Sequence, residues 1–329
     1  LGVDCYVMAV PPDRAPEHVA QVLSQDARVA WAQPMNIYRA QQQAAAAAPT
    51  HNDPLYPAQP AAAAWHLAAL HELATGREVR VAVIDSGIEQ NHPDLDGQVA
   101  LARNFVPARP DAPEQHGTAV AGIIAARADN GIGIAGVAPR ARLLALRACW
   151  QESRSSTLCS SLSLAMALDF AISHDAQVIN LSLGGAPDRL LGKLLDAALV
   201  RGITVVAAAD RSLPGGGFPA GHPGVVAVSD EAPNPPAGAL LAPGRDVPTT
   251  TLGAHWNLVS GSSYAAAHVS GLFALVRELH RSPLPAASTT LSVLPSGGID
   301  TCATLLRFVS PRACACANMR ATPPPIAQQ

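Results

Sequence analysis

Short apolar runs alternate with helical segments through the middle of the chain. The runs are rich in Val, Ile, Leu and Ala and show little period-two alternation, which is typical of strands buried on both faces of a parallel sheet. The predicted strands are 79–84, 142–148, 178–183, 203–209 and 225–228, and the predicted helices are 119–127, 162–173 and 190–201. This order predicts an α/β fold of three layers, with a mostly parallel central sheet flanked by helices.

A different pattern precedes this region. Residues 5–10 and 29–38 predict two strands around a short amphipathic helix at 15–24, which together would form a small α/β unit. Three glutamines and five alanines follow over residues 41–48, and this low-complexity tract predicts an exposed linker. A run of alanines that continues a helix is the alternative.

The last part of the chain is rich in Pro, Ser and Thr and has weak periodicity apart from residues 302–309. We expect a partly disordered extension there, above all over 311–329. The predicted organisation is therefore an N-terminal segment, a linker, a large α/β domain and a C-terminal extension. Their predicted bounds are 1–40, 41–51, 52–281 and 282–329.

Composition and charge exclude several classes of function. With 49% apolar and 14% charged residues among 329, the chain can bury a large core. The net charge is −3 and no basic run occurs, which argues against binding to nucleic acid or to an anionic membrane surface. No apolar run reaches the roughly 18 residues that a membrane-spanning helix needs.

The first residue is Leu1, and we expect an export signal upstream of it.

The six cysteines have no CxxC spacing, which argues against a zinc site of the Cys-rich type. An even number fits disulfides in an oxidising compartment, and hence a secreted or periplasmic protein. Buried free thiols are the alternative. Cys149 and Cys159, which flank a polar loop, are predicted to pair, and Cys302 is predicted to pair with Cys314 or Cys316.

Three residues stand where an α/β fold places reactive groups. Asp85 follows the strand 79–84, His116 opens an apolar helix, and Ser263 joins a Gly/Ser turn to an Ala-rich helix. The start of a helix favours developing negative charge. A serine becomes a nucleophile when a histidine accepts its proton and a carboxylate orients that histidine. Read singly, the aspartate could cap a turn and the serine could cap a helix.

The surrounding sequences give these residues a more specific meaning. The segments VAVIDSGI, HGTAVAGIIAA and SGSSYAAAHVSG resemble the three catalytic blocks of the subtilisin-like serine proteases. The resemblance extends over about residues 52–279 and implies a subtilisin-like fold and a serine endopeptidase that acts on proteins or peptides. It implies that Ser263 is the nucleophile, His116 the general base and acid, and Asp85 the residue that orients His116.

The resemblance also implies how a substrate binds. INLSLGG resembles the family's strand that pairs with the substrate backbone, so Ser182, Leu183 and Gly184 would form that edge. No cofactor is implied for catalysis, and the enzyme is expected to be a monomer. Residues 6–34 are similar to the C-terminal half of the family's inhibitory propeptide. They would then be an intramolecular inhibitor of a zymogen, cut off within the linker, whereas a permanent accessory domain is the alternative.

One departure from the family affects catalysis. The family places an asparagine at the oxyanion hole, but here Asp210 or Arg211 takes that place, depending on the alignment. We expect Arg211, or a backbone N–H of residues 215–217, to complete the hole. A catalytically silent scaffold that binds proteins is the second hypothesis. An esterase of the α/β-hydrolase type is disfavoured because the segment around Ser263 lacks the GxSxG motif and the triad order differs.

Two further expectations come from the resemblance. Asp94 and the loop 128–134 around Asn130 resemble the family's calcium site, which implies a structural Ca²⁺ held by a carboxylate and carbonyl oxygens. Asp129 in that loop could instead cap the end of the preceding helix. The cis-proline that the family often carries would be Pro219, although most X-Pro bonds are trans.

Overall fold

The computed structural model describes residues 5–36, 50–153, 156–230, 234–280 and 290–309. The chain divides into two compact units, residues 1–48 and 49–329. The low-complexity tract 41–48, the segment 311–329 and the predicted pairing of Cys302 with Cys314 or Cys316 lie outside the described residues. None of the described helices is long and apolar enough to cross a membrane.

The first unit has one described helix, α1 (Pro16–Leu23), which starts with proline in its first turn. Both predicted strands are wrong over the described residues, because 5–10 and 29–36 have no strand structure. A β-strand needs a hydrogen-bonded neighbour, and short isolated segments do not supply one. Ala20 is the one residue of this helix that is buried.

A seven-stranded sheet forms the centre of the second unit, in the order β2-β3-β1-β6-β7-β8-β9. Every neighbouring pair in it is parallel. This confirms the predicted parallel sheet. The strands are β1 (Arg80–Asp85), β2 (Val99–Asn104), β3 (Arg142–Arg147), β6 (Val178–Leu181), β7 (Thr204–Ala208), β8 (Val226–Asp230) and β9 (Leu240–Ala242).

Helices cover both faces of this sheet, as the three-layer prediction requires. The described α-helices of this unit are α2 (Pro60–Ala64), α3 (Leu67–His71), α4 (Gln115–Ala125), α5 (Ser161–Ser173), α6 (Arg189–Val200), α7 (Ser262–Leu279) and α8 (Thr301–Leu306). Val81 and Val83 of β1 pack in the cluster that contains α4 and α7, whereas Ala82 and Ile84 pack in the cluster that contains α5 and α6. Successive side chains of a strand point to opposite faces, so β1 serves both cores.

Four of the described strands lie outside the main sheet. The strands β10 (Val247–Thr251) and β11 (His255–Val259) form an antiparallel pair, as do β4 (Cys149–Ser153) and β5 (Ser156–Cys159). The polar loop predicted for residues 149–159 is therefore wrong, since most of it is a β-hairpin. The Cys149–Cys159 disulfide closes this hairpin at its base and confirms the predicted pair.

Candidate active site

The candidate triad residues all lie at the carboxyl edge of the parallel sheet, where α/β proteins bind their ligands. Asp85 is the last residue of β1, and His116 is the second residue of α4. Ser263 is the second residue of α7. The segment 182–184 directly follows β6, which is the neighbour of β1 in the sheet.

Asp85 and His116 form a short hydrogen bond, with 2.7 Å between Oδ1 and Nδ1. The carboxylate is buried, and the same oxygen accepts the N–H of Ser86 at 2.7 Å. Because an ionised carboxylate only accepts hydrogen bonds, Nδ1 carries the proton of the imidazole. The other ring nitrogen, Nε2, is then the basic one.

The environment of His116 adjusts its basicity. Burial alone lowers the pKa of His116, but the negative charge and the hydrogen bond of Asp85 outweigh it and raise the pKa above its ordinary value. The Tyr264 ring lies 5.7 Å from the His116 ring, between centroids. Burial, and then the charge of Asp85, raise the pKa of Tyr264 to about 12, so this phenol is neutral near neutral pH.

Two hydrogen bonds connect Ser263 to the segment that follows β6. Its Oγ donates to the carbonyl oxygen of Ser182 at 3.1 Å, and the Ser182 Oγ donates to the carbonyl oxygen of Ser263 at 2.9 Å. The Asn180 side chain donates to the Ser182 Oγ at 2.9 Å and accepts from Ser270. Among the described residues no hydrogen bond joins Ser263 to His116, since the Ser263 hydroxyl is bonded to Ser182 instead.

A cleft of about 680 Å³ opens beside Ser263, although Ser263 itself is not among the residues that line it. Its wall includes Asp85, His116, Tyr264 and the segment 182–188, together with residues of the disulfide-closed hairpin. Ser182 is buried, whereas Gly184 is exposed. The backbone of residues 182–184 has no strand partner in the described part of the chain, so it presents a free edge to the cleft.

A buried ion pair beside the candidate triad was not predicted from the sequence. Arg147 at the end of β3 donates from Nε and Nη2 to the Glu114 carboxylate, at 3.0 and 2.8 Å. Glu114 also accepts the N–H of Gly87 at 2.7 Å and that of Gln151 at 3.0 Å. Two features of the sequence could have indicated this pair. Arg147 is a charged residue at the end of an apolar strand, and Glu114 is an acid two residues before His116.

The Glu114 carboxylate is ionised by these contacts. Burial alone raises its pKa, but the hydrogen bonds from Arg147, Gly87 and Gln151 and the charge of Arg147 together lower it below its ordinary value. The pair therefore links the turn after Asp85, the start of the His116 helix and the hairpin of the cleft. These three segments are far apart in sequence.

The residues predicted at the oxyanion hole have other partners. Asp210 accepts the N–H of Ser212 at 2.8 Å and its hydroxyl at 2.6 Å, and these bonds lower the pKa of Asp210. Arg211 forms an ion pair through Nη2 with the buried Asp230 at the end of β8. A β-carbon built on Gly184 would lie 3.7 Å from that of Asp210, so Asp210 stands beside the free edge.

Of the glycines predicted as alternative donors, Gly215 and Gly216 lie in a short 3₁₀ turn, Pro214–Gly216, and Gly217 directly follows it. The N–H groups of Gly216 and Gly217 donate to the carbonyls of Leu213 and Pro214, at 3.1 and 3.2 Å. Two of the three candidate backbone donors are thus already used within the turn. The following Phe218–Pro219 bond is cis, as the family resemblance implied.

The predicted calcium residues form a hydrogen-bonded cluster. The buried Asp94 accepts from the Asn130 side-chain amide at 2.9 Å, from the N–H of Ile134 at 3.0 Å and from the Trp256 indole at 2.6 Å. Asn130 directs its side-chain oxygen to the N–H of Ile132 at 3.1 Å. Three N–H donors thus bond to this carboxylate in the structure. Calcium binding at Asp94 and Asn130 stays a prediction.

A parallel α/β sheet with Asp, His and Ser in this chain order at its carboxyl edge has the architecture of a serine hydrolase. The comparisons with known proteins make this class specific. The chain belongs to the subtilase family, whose family model matches residues 76–232.

Several curated proteins are similar to the chain. It is 38% identical to subtilisin E of Bacillus subtilis over 231 residues, which is 64% of this chain and 59% of that protein. It is 38% identical to the thermophilic serine proteinase of Bacillus sp. strain AK1 over 222 residues, 64% of this chain and 54% of that protein. The match to subtilisin of Bacillus pumilus, 37% over 231 residues, covers 64% of this chain and 82% of that protein.

The chain thus spans somewhat more than half the length of the first two relatives. A solved structure of a protease from Pseudoalteromonas arctica aligns with a TM-score of 0.70 at 23% identity. The alignment covers 79% of this chain and all of that chain. At this identity the likeness establishes the shared fold.

Proposed function

We propose that the protein is a serine endopeptidase that hydrolyses peptide bonds of proteins. The observation that carries the proposal is the 2.7 Å hydrogen bond between Asp85 and His116 in a cleft beside the helix that bears Ser263. The subtilase membership and the relatives named as subtilisins and as a serine proteinase support it. No cofactor is needed for this chemistry.

The proposed reaction starts with attack of the Ser263 Oγ on the carbonyl carbon of the scissile peptide. The hydroxyl proton passes to Nε2 of His116, which then gives it to the leaving amine as the C–N bond breaks. A water molecule next attacks the acyl-enzyme, with His116 again as the base, and releases the acid and free Ser263. Asp85 holds the proton on Nδ1 and stabilises the imidazolium throughout.

We propose that the free edge at residues 182–184 binds the substrate as an added strand. Backbone N–H and C=O groups of an extended peptide would pair with those of Ser182, Leu183 and Gly184, which recognises proteins in general rather than one sequence. The reciprocal bonds between Ser182 and Ser263 would then fix this edge relative to the nucleophile.

The oxyanion would be held by the N–H of Ser263, at the positive end of α7, and by one further donor. We propose Arg211, because its ion pair with Asp230 uses one terminal nitrogen and a guanidinium has several other N–H donors. Asp210 is the alternative occupant, and its ionised carboxylate would repel an oxyanion. Replacing Arg211 with alanine should lower kcat by about 10²–10³-fold if it is the donor.

We further propose a zymogen that is exported to an oxidising compartment and works as a monomer. The N-terminal segment would act as its inhibitory propeptide and be removed by cleavage within residues 41–51. The Cys149–Cys159 disulfide supports an oxidising location.

The deciding experiment compares the full chain with its Ser263→Ala variant. An organophosphate serine reagent should modify Ser263 in the active chain, and N-terminal sequencing should find self-cleavage in the linker of the wild type only. Lack of labelling after the N-terminal segment has been removed would instead favour the silent scaffold. Equal cleavage of both chains would show that another protease does the processing.

A further inference from the structure

The cleft hairpin, which consists of β4 and β5, is closed by a disulfide. Its first and last residues, Cys149 and Cys159, are paired across the two strands and joined by the S–S bond. β4 starts two residues after Arg147, the last residue of β3, and β5 ends two residues before Ser161, where α5 begins. The disulfide therefore connects the end of a strand of the main sheet to the start of a helix.

This hairpin forms part of the wall of the cleft. The hairpin residues that line the cleft are Cys149, Gln151, Thr157, Leu158 and Cys159. Residues 182–184 and His116 line the same cleft. A peptide that pairs with the free edge at 182–184 and reaches His116 must therefore lie against the hairpin. Leu158 is 39% exposed, so the hairpin offers apolar surface to such a peptide.

The contacts that fix the hairpin to the rest of the unit are made by β4. The N–H of Gln151 donates to Glu114 at 3.0 Å, and its side-chain oxygen accepts the N–H of Gln115 at 3.2 Å. The Arg109 guanidinium lies 4.9 Å from the centre of the Trp150 ring. β5 is joined to β4 by a short ladder with an irregular register and by the disulfide. Because a two-stranded hairpin alone is marginally stable in water, the disulfide is what holds β5 in place.

The disulfide can be reached from the cleft. Both of its cysteines line the cleft, although Cys149 is only 2% exposed. Cys159 is half-buried. Since thiol–disulfide exchange needs access to a sulfur atom, a small dithiol that enters the cleft would react at Cys159.

We propose that the Cys149–Cys159 disulfide is a redox-sensitive clamp on substrate binding. Reduction by dithiols frees β5 and weakens the affinity for extended peptides, and reoxidation restores it. The clamp rests on the proposed endopeptidase function. It implies that the chain binds substrates poorly in a reducing compartment and well once it reaches an oxidising one.

The exchange needs a dithiol as its reductant. One thiolate of the dithiol attacks Sγ of Cys159, the S–S bond breaks, and Cys149 leaves as a thiolate that takes up a proton. The second thiol of the reductant then attacks the mixed disulfide and releases the Cys159 thiol. The protein gains two electrons and two protons, and the dithiol becomes a cyclic disulfide.

Reduction should affect binding more than the chemical step. The hydrogen bond between Asp85 and His116 contains no hairpin residue. Glu114, which precedes the His116 helix, keeps its bonds to Gly87 and Arg147 even where Gln151 moves away. A loss of binding that the ground state and the transition state share raises KM and leaves kcat unchanged.

The test measures hydrolysis of an extended chromogenic peptide by the full chain before reduction, after reduction with excess dithiothreitol, and after reoxidation. KM should rise about 10-fold on reduction while kcat changes less than about twofold, and both should return on reoxidation. The rate of Ser263 labelling by an organophosphate is measured in parallel. This small reagent does not need the hairpin wall, so its rate should stay the same.

Two variants assign the effect to this disulfide. The double variant Cys149→Ser/Cys159→Ser should have the high KM of the reduced chain and should not respond to dithiothreitol. The matched control is Cys302→Ser, because Cys302 is a free cysteine of α8 that does not line the cleft. It should respond as the wild type does, and circular dichroism should show that both variants fold.

Three results would overturn the clamp. One is an unchanged KM in a chain whose Cys149 and Cys159 are shown to be reduced by alkylation and mass spectrometry. Another is a response to dithiothreitol that persists in the double variant. The third is a parallel loss of kcat, labelling and circular dichroism, which would mean that the bond supports the whole fold. Absence of Ser263 labelling in both redox states would instead overturn the endopeptidase function on which the clamp rests.

Discussion

At the scale of single residues, His116 depends on the carboxylate beside it. Asp85 accepts the hydrogen bond of Nδ1, so Nε2 is left as the base, and the same carboxylate raises the pKa of the ring. The two effects act in different ways. The hydrogen bond selects the tautomer, whereas the charge raises the pH below which the ring is protonated and, in the proposed mechanism, would not accept a proton from Ser263.

Replacing Asp85 with asparagine separates these effects. If the proposed mechanism is right, kcat for peptide hydrolysis should fall about 10⁴-fold because the wrong tautomer is favoured. The pKa of His116 should fall as well, since the variant lacks the charge that raises it, and the acidic limb of the kcat/KM profile should move to lower pH. Rates measured against pH check both effects, and an unmoved acidic limb would contradict the assignment of Asp85.

Gly133 is a residue whose small size is required by its neighbours. It has φ 51°, and a β-carbon built on it would collide with the Asp94 carboxylate and the Trp256 indole. Gly131 has φ 76° and open space around its position. A substitution at either glycine would therefore strain the backbone, but only a substitution at Gly133 would also collide with neighbouring side chains.

We expect Gly133→Ala to lower the free energy of unfolding by about 3 kcal/mol or more, since it adds overpacking to backbone strain. Gly131→Ala should cost only about 1–2 kcal/mol. Urea unfolding of both variants in the Ser263→Ala chain measures the difference. Equal costs would mean that the Asp94–Trp256 contact adjusts freely.

At the scale of elements, the Glu114–Arg147 pair connects segments that come from three different parts of the chain. One carboxylate bonds to the turn after β1, to the end of β3 and to the hairpin strand β4. Glu114 is also the residue directly before α4, which carries His116. The relative placement of Asp85, His116 and the cleft wall therefore rests partly on this pair.

Glu114→Gln should be strongly destabilising, because it leaves the buried guanidinium of Arg147 without a counter-charge. We expect a loss of about 3–5 kcal/mol in the free energy of unfolding. The control is Asp175→Asn, which breaks an exposed pair with Arg80 at 3.1 Å and should cost less than about 1 kcal/mol. Chemical denaturation measures both, and similar small losses would mean that water replaces the carboxylate.

The sequence allowed the main sheet to be predicted better than its surroundings. Runs such as 81–84 are apolar on both faces, and this pattern is typical of buried parallel strands. The β4–β5 hairpin was missed because its polar residues lie over the cleft and carry no such signal. Residues 5–10 were predicted as a strand from weak alternation, although a strand also needs a partner that a local pattern does not reveal.

The catalytic motifs, like the main sheet, could be predicted from local sequence, whereas long-range contacts could not. Asp85, His116 and Ser263 stand in recognisable local segments, so their grouping was predicted. The His51 side chain contacts His71 and Asp129, which lie 20 and 78 residues away in sequence, and no local pattern marks them. Their association depends on the fold, which brings the segment after the linker against the loop between α4 and β3.

At the scale of the whole molecule, the described core holds neutral histidines that acid must charge. Burial lowers the pKa of both His71 and His268 to about 4. A histidine in the unfolded chain has its ordinary pKa of 6.5. Between these values the unfolded chain binds more protons, so the folded state loses stability as the pH falls from about 6.5 to about 4. His116 acts in the opposite direction, since its pKa is raised in the folded state.

His268 allows this acid sensitivity to be tested without a substitution in the candidate triad. It is fully buried in α7 and bonds through Nδ1 to the carbonyl oxygen of Tyr264 at 2.8 Å. A His268→Gln variant keeps a side-chain donor but cannot titrate, so the free energy of unfolding should fall less steeply with acidification. Between pH 6.5 and 4 the wild type should lose about 3 kcal/mol more of its free energy of unfolding than the variant, as a pKa shift of this size implies.

Urea titrations of the Ser263→Ala chain at several pH values measure this difference. The control is the exposed His66→Asn, which should match the wild-type slope. Parallel curves for all three chains would mean that His268 is hydrated or already charged in the folded state.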